Sequence, residues 1–320
     1  MTQTFLNRRA MMTLMASALM APMAQADAGP VILATTGMIG DAAARLTGRP
    51  VRALMGPGMD PHGYRQTRSD IAAMARADLV LWHGLYLEAQ MEDFLTHLAR
   101  NRPVVAVAEA LPRTELRGHP EYPDRFDPHV WMDPALWLQV VDVIGATLAT
   151  TFPALAPQIA AETPRFKADI AALGEYARQV LASVPAERRV LVTAHDAFGY
   201  FGRAYGFDVQ GIQGLSTESE AGLARIGALV DRLVAQKIPA VFVETSVSDR
   251  SIRALIEGAA AHGHQVAIGG SLYSDAMGPD GSYEGTWLGM IDHNVTTIAR
   301  ALGGTAPERG RLGQLTGGAA

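Results

Sequence analysis

Three of the nine histidines lie in short motifs whose chemistry suits metal binding. They are His62 in Asp60-Pro-His62, His129 in Asp127-Pro-His129, and His195 in Thr193-Ala-His195. A fourth candidate, Asp275, lies in a glycine-rich loop after a strand-like run. Taken singly, each could equally be a turn residue, because Asp-Pro and glycine-rich pieces are typical of turns. As a set, divided two and two between the halves of the chain, they offer the nitrogen and oxygen ligands that divalent transition metals accept.

The chain contains no cysteine, which excludes disulfides, thiolate nucleophiles and cysteine-type zinc sites. Any bound metal must therefore be held by His, Asp or Glu. The remaining histidines have no neighbours that argue for chemistry, so we interpret them as surface or hydrogen-bonded residues: His83, His97, His119, His262, His264 and His293. His119 stands in a polar loop at 113–127, where a single histidine is weak support for a role in guiding metal.

Strand-like apolar runs alternate with helical patterns in both halves of the chain, which predicts parallel sheets covered by helices on both faces. In the first half we predict strands at 31–36, 51–55, 78–82 and 104–107, and helices at 39–46, 69–76 and 87–100. In the second half we predict strands at 190–193, 240–243 and 265–268, and helices at 221–236, 251–261 and 286–302. Ser69 and Ser219 are the predicted N-caps of two of these helices.

Two long helices, predicted at 134–150 and 157–183, separate the halves. The second would run about 40 Å at 1.5 Å per residue, a length that suits a backbone joining two lobes. The predicted fold is therefore α/β, with two doubly wound lobes joined by one long rigid helix and a metal site in the cleft between them. The predicted segments are a signal peptide (1–26), an N-terminal lobe (27–153), a linking helix (154–187) and a C-terminal lobe (188–320).

The first 26 residues predict export. Arg8 and Arg9 precede an apolar run at 10–23 and then Ala24-Gln25-Ala26, which is the pattern of a secretory signal removed near Ala26. The run is shorter than the roughly 20 residues of a stable bilayer anchor, and the alternative is a buried N-terminal helix. The paired arginines leave both the general and the twin-arginine export routes open. No cysteine follows the cleavage site, so we expect no lipid anchor.

The charge balance narrows the choice of partners. The net charge of −5 makes nucleic acid an unlikely partner, because phosphate binding needs a basic surface. No later segment is expected to cross a membrane. We therefore expect a soluble, monomeric protein of the periplasm.

Six motifs extend from the first histidine almost to the end of the chain. They are Asp60-Pro-His62, Ser69-Asp70, His129-Val-Trp-Met-Asp-Pro134, His195-Asp-Ala-Phe-Gly-Tyr-Phe201, Phe242-Val-Glu-Thr-Ser246 and Leu272-Tyr-Ser-Asp-Ala-Met-Gly278. With them the chain resembles the zinc/manganese group of solute-binding proteins that serve ABC importers, almost end to end. The resemblance implies one metal held by His62, His129, His195 and Asp275, and a permease at the inner membrane as partner.

Zinc is the favoured cargo, with manganese as the alternative. Manganese-type members of the group often carry Glu where this chain has His195, whereas many zinc-type members carry a long His-rich loop that is short here. Three imidazoles and one carboxylate match the four-coordinate nitrogen and oxygen preference of zinc. Glu244 and Asp196 are our candidates for carboxylates that orient the imidazoles, although each could equally be a solvated or capping residue.

The resemblance implies a receptor that performs no catalysis. A zinc-dependent hydrolase is the alternative, but a catalytic zinc normally keeps one position open for water, and four protein ligands leave little room. Ser216 and Ser219 lie in a sequence typical of a loop and a helix cap, with no general base beside them. A metal-dependent adhesin is the third possibility. It is suggested only by names given to members of the group, and no residue of the chain supports it.

Overall fold

The first half of the chain forms a four-stranded parallel sheet in the order β2-β1-β3-β4. The computed structural model describes residues 29–120, 122–219 and 221–316. The strands are β1 (Ile32–Ala34), β2 (Arg52–Ala53), β3 (Leu79–Trp82) and β4 (Val104–Ala106). The helices between and after them are α1 (Gly37–Thr47), α2 (Arg68–Arg76) and α3 (Glu92–Leu98). Because β1 and β3 are buried on both faces, their sequences are continuous apolar runs.

The second half contains two parallel pairs, β5–β6 and β7–β8, with β5 next to β7. The strands are β5 (Val190–Thr193), β6 (Asp208–Gly211), β7 (Ala240–Glu244) and β8 (Ala267–Leu272). The helices are α6 (Gly199–Tyr205), α7 (Leu223–Gln236), α8 (Arg250–Ala261) and α9 (Trp287–Ala301).

Helices α4 (Pro134–Thr151) and α5 (Ala156–Ala182) lie between the halves in the chain. Helix α5, which has 27 residues, packs against α1 and α4, which precede it in the sequence, and against α9, which follows it. The prediction of two α/β lobes joined by one long helix is confirmed. The segment boundaries at 27–153, 154–187 and 188–320 stay a prediction, and the signal peptide at 1–26 lies outside the described residues.

Several predicted boundaries were wrong for local reasons. Thr67, not Ser69, caps α2, because its side chain accepts from the backbone of Asp70 while the Asp70 carboxylate bonds back to the backbone of Thr67. Helix α7 begins after Gly222, so Ser219 caps nothing. Helix α3 begins at Glu92 rather than at 87, since Gly84, Leu85 and Tyr86 all have positive φ and turn the chain first.

The later strands and helices also differ from the prediction. Strand β8 lies at Ala267–Leu272, further along the chain than the predicted 265–268, and therefore ends three residues before Asp275. Helix α6 and strand β6 were not predicted. Helix α6 has only seven residues, which is too short for a periodic pattern to be recognised.

One helix of the described residues is long and apolar enough to cross a membrane, which the sequence reasoning did not expect. It is α4, with 18 residues and a mean hydropathy of 1.2. Its apolar side chains pack into the core shared by both lobes: Leu136, Trp137, Val140, Val141, Ile144 and Leu148. A core helix of a folded protein passes the same test of length and composition, and the packing of α4 is of that kind.

Trp287 offers a test of the packing between helix α4 and the second lobe. Its fully buried ring stacks on Trp137 at 5.8 Å between centroids, and its indole N–H donates to the carbonyl of Trp131. We expect Trp287→Ala to lower the free energy of unfolding by about 3–5 kcal/mol, measured by urea denaturation of the metal-free protein. Leu223→Ala, at a side chain that is 87% exposed, should change it by less than about 0.5 kcal/mol. Equal effects of the two substitutions would contradict this packing.

Candidate metal centre

The structure brings together the four residues that the sequence singled out. One ligand atom from each of His62, His129, His195 and Asp275 lies within 4.8 Å of the corresponding atom of every other, and all four residues are buried. His62 lies within the long loop between β2 and α2, whereas the other three residues lie within a few residues of a strand end or a helix start, where α/β folds place ligands. His62 and His129 precede the long helix α5 in the sequence, and His195 and Asp275 follow it.

The two residues from the first part of the chain are held by the same local device. The backbone N–H of His62 donates to Asp60 Oδ1 at 2.9 Å, and that of His129 donates to Asp127 Oδ1 at 3.0 Å. Each Asp-Pro-His motif thus closes on itself as an Asx-turn. For His129 the turn leads through the 3₁₀ turn Val130–Met132 into α4, which fixes the direction of its side chain.

The two residues from the second lobe follow buried strands. His195 comes two residues after β5, and its backbone N–H donates to Glu244 Oε1, at the end of β7, at 2.9 Å. Asp275 comes three residues after β8. The preceding carbonyl of Ser274 accepts from the indole N–H of Trp131 at 2.8 Å, which ties the loop of Asp275 to the turn that follows His129.

Four separations between the ligand atoms lie between 3.2 and 4.0 Å, close to the spacing around one ion. Nε2 of His62 lies 3.3 Å from Nε2 of His129. Asp275 Oδ1 lies 3.4 Å from His129 Nε2 and 4.0 Å from His62 Nε2, and Asp275 Oδ2 lies 3.2 Å from His195 Nε2. Bonds of about 2.1 Å to a four-coordinate zinc place neighbouring ligand atoms about 3.4 Å apart. The four side chains are therefore already spaced for one ion.

Two of these atoms have no other partner. His195 Nε2 and Asp275 Oδ1 are buried without a hydrogen bond within the part of the chain that the structure describes. Leaving a buried polar atom unpaired costs about 1–3 kcal/mol. A cation with nitrogen and oxygen ligands would pair both atoms at once, so the donor set fits a divalent transition metal.

Carboxylates lie behind two of the imidazoles. Glu244 Oε2 is 2.5 Å from His195 Nδ1, and Asp127 Oδ1 is 2.8 Å from His129 Nδ1. Such contacts fix the ring orientation and leave Nε2 directed at the centre. Glu244 was one of our two candidates for this role. Asp127 was missed, although its position two residues before His129 was the signal that could have identified it.

Asp196 stands apart from this arrangement. It follows His195 directly, and burial, followed by the charge of Asp127, raises the pKa of its carboxyl. Among the hydrogen bonds of the described residues, none joins its side chain to the four candidate ligands. The carboxylate that contacts Nδ1 of His129 is that of Asp127.

The three histidines of the cluster differ in the direction in which their pKa is shifted. Burial lowers the pKa of His62 to about 3, so this imidazole is neutral. Burial also opposes protonation of His129, but the hydrogen bond to Asp127 and the negative charges of Asp127 and Asp275 outweigh it and raise its pKa to about 9. Burial is likewise outweighed at His195, whose pKa Asp275 and Glu244 raise well above its ordinary value. Without metal, the site therefore holds protons on His129 and His195.

The other histidines lie outside the four-residue group. His83 is buried, its Nε2 is 2.7 Å from the carbonyl of Pro128, and its ring meets Trp131 edge-on at 5.0 Å between centroids. It thereby supports the chain just before His129. His119 lies in the loop predicted to be polar, where its Nδ1 accepts from the backbone of Tyr122.

Comparison with known proteins places this geometry in a family. The sequence model described as "Zinc-uptake complex component A periplasmic" (ZnuA) matches residues 32–301. The manganese-binding lipoprotein MntA of Bacillus subtilis is 47% identical over 279 residues, which cover 87% of this chain and 91% of that protein. The zinc-binding protein TroA of Treponema pallidum is 43% identical over 281 residues, covering 87% and 91%.

The fold agrees with these sequence matches. The solved structure of the periplasmic zinc-binding protein TroA from Treponema pallidum superposes with a TM-score of 0.83 at 42% identity, covering 85% of this chain and 99% of that one. The family consists of binding receptors, so the prediction that the chain is not an enzyme is confirmed. The chain belongs to the ZnuA family, the metal-binding solute-binding proteins of ABC importers.

Proposed function

We propose that this protein captures one divalent transition metal with His62, His129, His195 and Asp275 and hands it to the permease of an ABC importer. The observation that carries the proposal is the convergence of four buried donors, two of which have no other partner in the described chain. Glu244 and Asp127 orient two of the imidazoles from behind. No reaction is involved, because four protein ligands occupy the positions that a zinc-bound water would need.

Zinc is the cargo that the donor set favours. Three imidazole nitrogens and one carboxylate, with ligand atoms within 4.8 Å of one another, suit its four-coordinate preference. The Treponema pallidum relative, 43% identical to this chain, is named as a zinc-binding protein.

Manganese is the second candidate cargo. The Bacillus subtilis relative, 47% identical, is named as a manganese-binding lipoprotein. Both oxygens of Asp275 face imidazole nitrogens, an arrangement that allows an additional oxygen ligand for a metal that favours carboxylates. Since affinity at a given site rises from manganese to zinc, the metal supplied in the cell decides between the two.

We infer that the protein is exported to the periplasm. Support comes from the export pattern at 1–26 and the periplasmic description of the family. The route of export stays open. The permease is the partner that the family implies, and nucleic acid is disfavoured by the net charge of −5.

Loss of one ligand tests the site directly. We expect His195→Ala to lose stoichiometric zinc, because three remaining ligands bind far more weakly than four in a buried site. The measurement is metal content after dialysis of the purified protein against a weak chelator. His97→Ala, which changes an exposed histidine outside the group, is the matched control and should keep one equivalent. Zinc retained equally by both variants would refute the assigned site.

Metal binding should release protons. The metal-free site holds protons on His129 and His195 at pH 7, and imidazole must be neutral to ligate, so about two protons leave as zinc enters. Affinity should therefore fall continuously as the pH drops through about 9, where His129 gains its proton, and the raised pKa of His195 adds to this fall. Calorimetry at pH 7 in buffers of different ionisation enthalpy counts the protons. Release of none would contradict the protonation state assigned here.

Direct competition tests whether the site itself prefers zinc to manganese. Metal-free protein equilibrated with equal concentrations of zinc and manganese should hold zinc in most of its sites, since zinc stands above manganese in the affinity order of such ligands. The measurement is the ratio of the two metals by mass spectrometry of the protein after gel filtration. Manganese in the majority would overturn zinc as the favoured cargo while leaving the metal site in place.

A further inference from the structure

The carboxylate of Asp275 faces the centre with both oxygens. Oδ1 is 3.4 Å from His129 Nε2, and Oδ2 is 3.2 Å from His195 Nε2. Binding through one oxygen gives a four-coordinate ion with three imidazoles, whereas binding through both gives a five-coordinate ion. The coordination number of the metal therefore depends on what else competes for one of these oxygens.

A hydroxyl group contacts one of these two oxygens and not the other. Ser246 Oγ lies 3.3 Å from Asp275 Oδ2 and 3.0 Å from Ser274 Oγ. A carboxylate only accepts, so Ser246 donates to Asp275, and Ser274 donates to Ser246 in turn. Oδ1 has no hydrogen-bond partner among the described residues. The two oxygens of Asp275 are thus made unequal by one side chain.

The position of Ser246 suits this contact. It lies two residues beyond Glu244, the last residue of β7, so the strand whose end orients His195 also carries the hydroxyl that meets Asp275. The buried hydroxyl of Ser274 fixes the direction in which Ser246 donates. Ser246 itself is half-buried, which leaves room for side chains of similar size.

We propose that the Ser246 hydroxyl keeps Asp275 a one-oxygen ligand and thereby shifts the selectivity of the site towards zinc and away from manganese. The proposal rests on the function proposed above. A hydrogen bond withdraws electron density from Oδ2, so Oδ1 becomes the stronger donor. Zinc is satisfied by the resulting four ligands, whereas manganese favours additional oxygen ligands.

Cobalt(II) is the probe of coordination number, because its four-coordinate complexes absorb visible light much more strongly than its five-coordinate ones. We expect the cobalt-loaded parent protein to show intense visible bands and Ser246→Ala to show clearly weaker ones. The ratio of the manganese Kd to the zinc Kd should fall about tenfold in Ser246→Ala, the effect of one hydrogen bond to a charged group.

Two control variants separate this role from a structural one. Ser246→Thr keeps a hydroxyl and should restore both the spectrum and the Kd ratio of the parent. Ser274→Ala removes the hydroxyl that orients Ser246 but keeps Ser246 beside Asp275, so it should change the spectrum and the Kd ratio less than Ser246→Ala does. If Ser246→Ala fails to fold by circular dichroism, Ser246→Gly, which also lacks the hydroxyl, is measured in its place.

The outcomes distinguish this proposal from the one on which it rests. One bound metal with an unchanged cobalt spectrum and an unchanged Kd ratio in the hydroxyl-free variant would overturn the role of Ser246 and leave the receptor function standing. Equal changes in Ser246→Ala and Ser246→Thr would overturn it as well, because the hydroxyl would then be irrelevant. A parent protein that binds no metal, or loses none in His195→Ala, would instead remove the metal site itself.

Discussion

The hydrogen bonds between Glu244 and His195 are the interaction on which the rest of the centre depends. One carboxylate at the end of β7 accepts from both the backbone and the ring of a residue beyond β5, and all of these atoms are buried. A buried carboxylate is stable only if it is paired, and an imidazole is a useful ligand only if its free nitrogen points at the metal. A single contact meets both requirements. It also fixes the spacing between two strand ends that the sheet pairs do not join by backbone hydrogen bonds.

In the first part of the chain, local turns rather than a distant carboxylate position the backbone of the histidines. The repeated Asp-Pro-His motif closes an Asx-turn at both His62 and His129, but only Asp127 also reaches the ring of its histidine. Asp60 instead accepts from the hydroxyl of Thr217 in the second lobe at 2.5 Å. His129 is thus held within its own loop, whereas the loop of His62 is held partly by the opposite lobe.

The α/β class and the long linking helix could be predicted, because apolar runs and helical periodicity are local signals. The four candidate ligands were identifiable because each lies in a motif at a strand or helix end. The true cap of α2 was harder to predict, since Thr67 and Ser69 are both good caps and only the reciprocal bond with Asp70 decides between them. The contact of Ser246 with Asp275 joins residues distant in sequence, so composition and spacing do not reveal it. Glu244 was a candidate for orienting an imidazole, but its partner His195 could not be named from the sequence. The late start of α3 depends on positive φ at Leu85 and Tyr86. Leucine and tyrosine rarely adopt positive φ, so their residue types do not predict it.

The protons on His129 and His195 have an electrostatic consequence for the receptor as a whole. If both protons leave when a dication enters, the loaded and empty proteins carry the same net charge. The electric field far from the site is then nearly unchanged by loading. A receptor that diffuses to a membrane partner would present the same long-range potential in both states, so the partner would have to distinguish them by short-range contacts with the loops around the site.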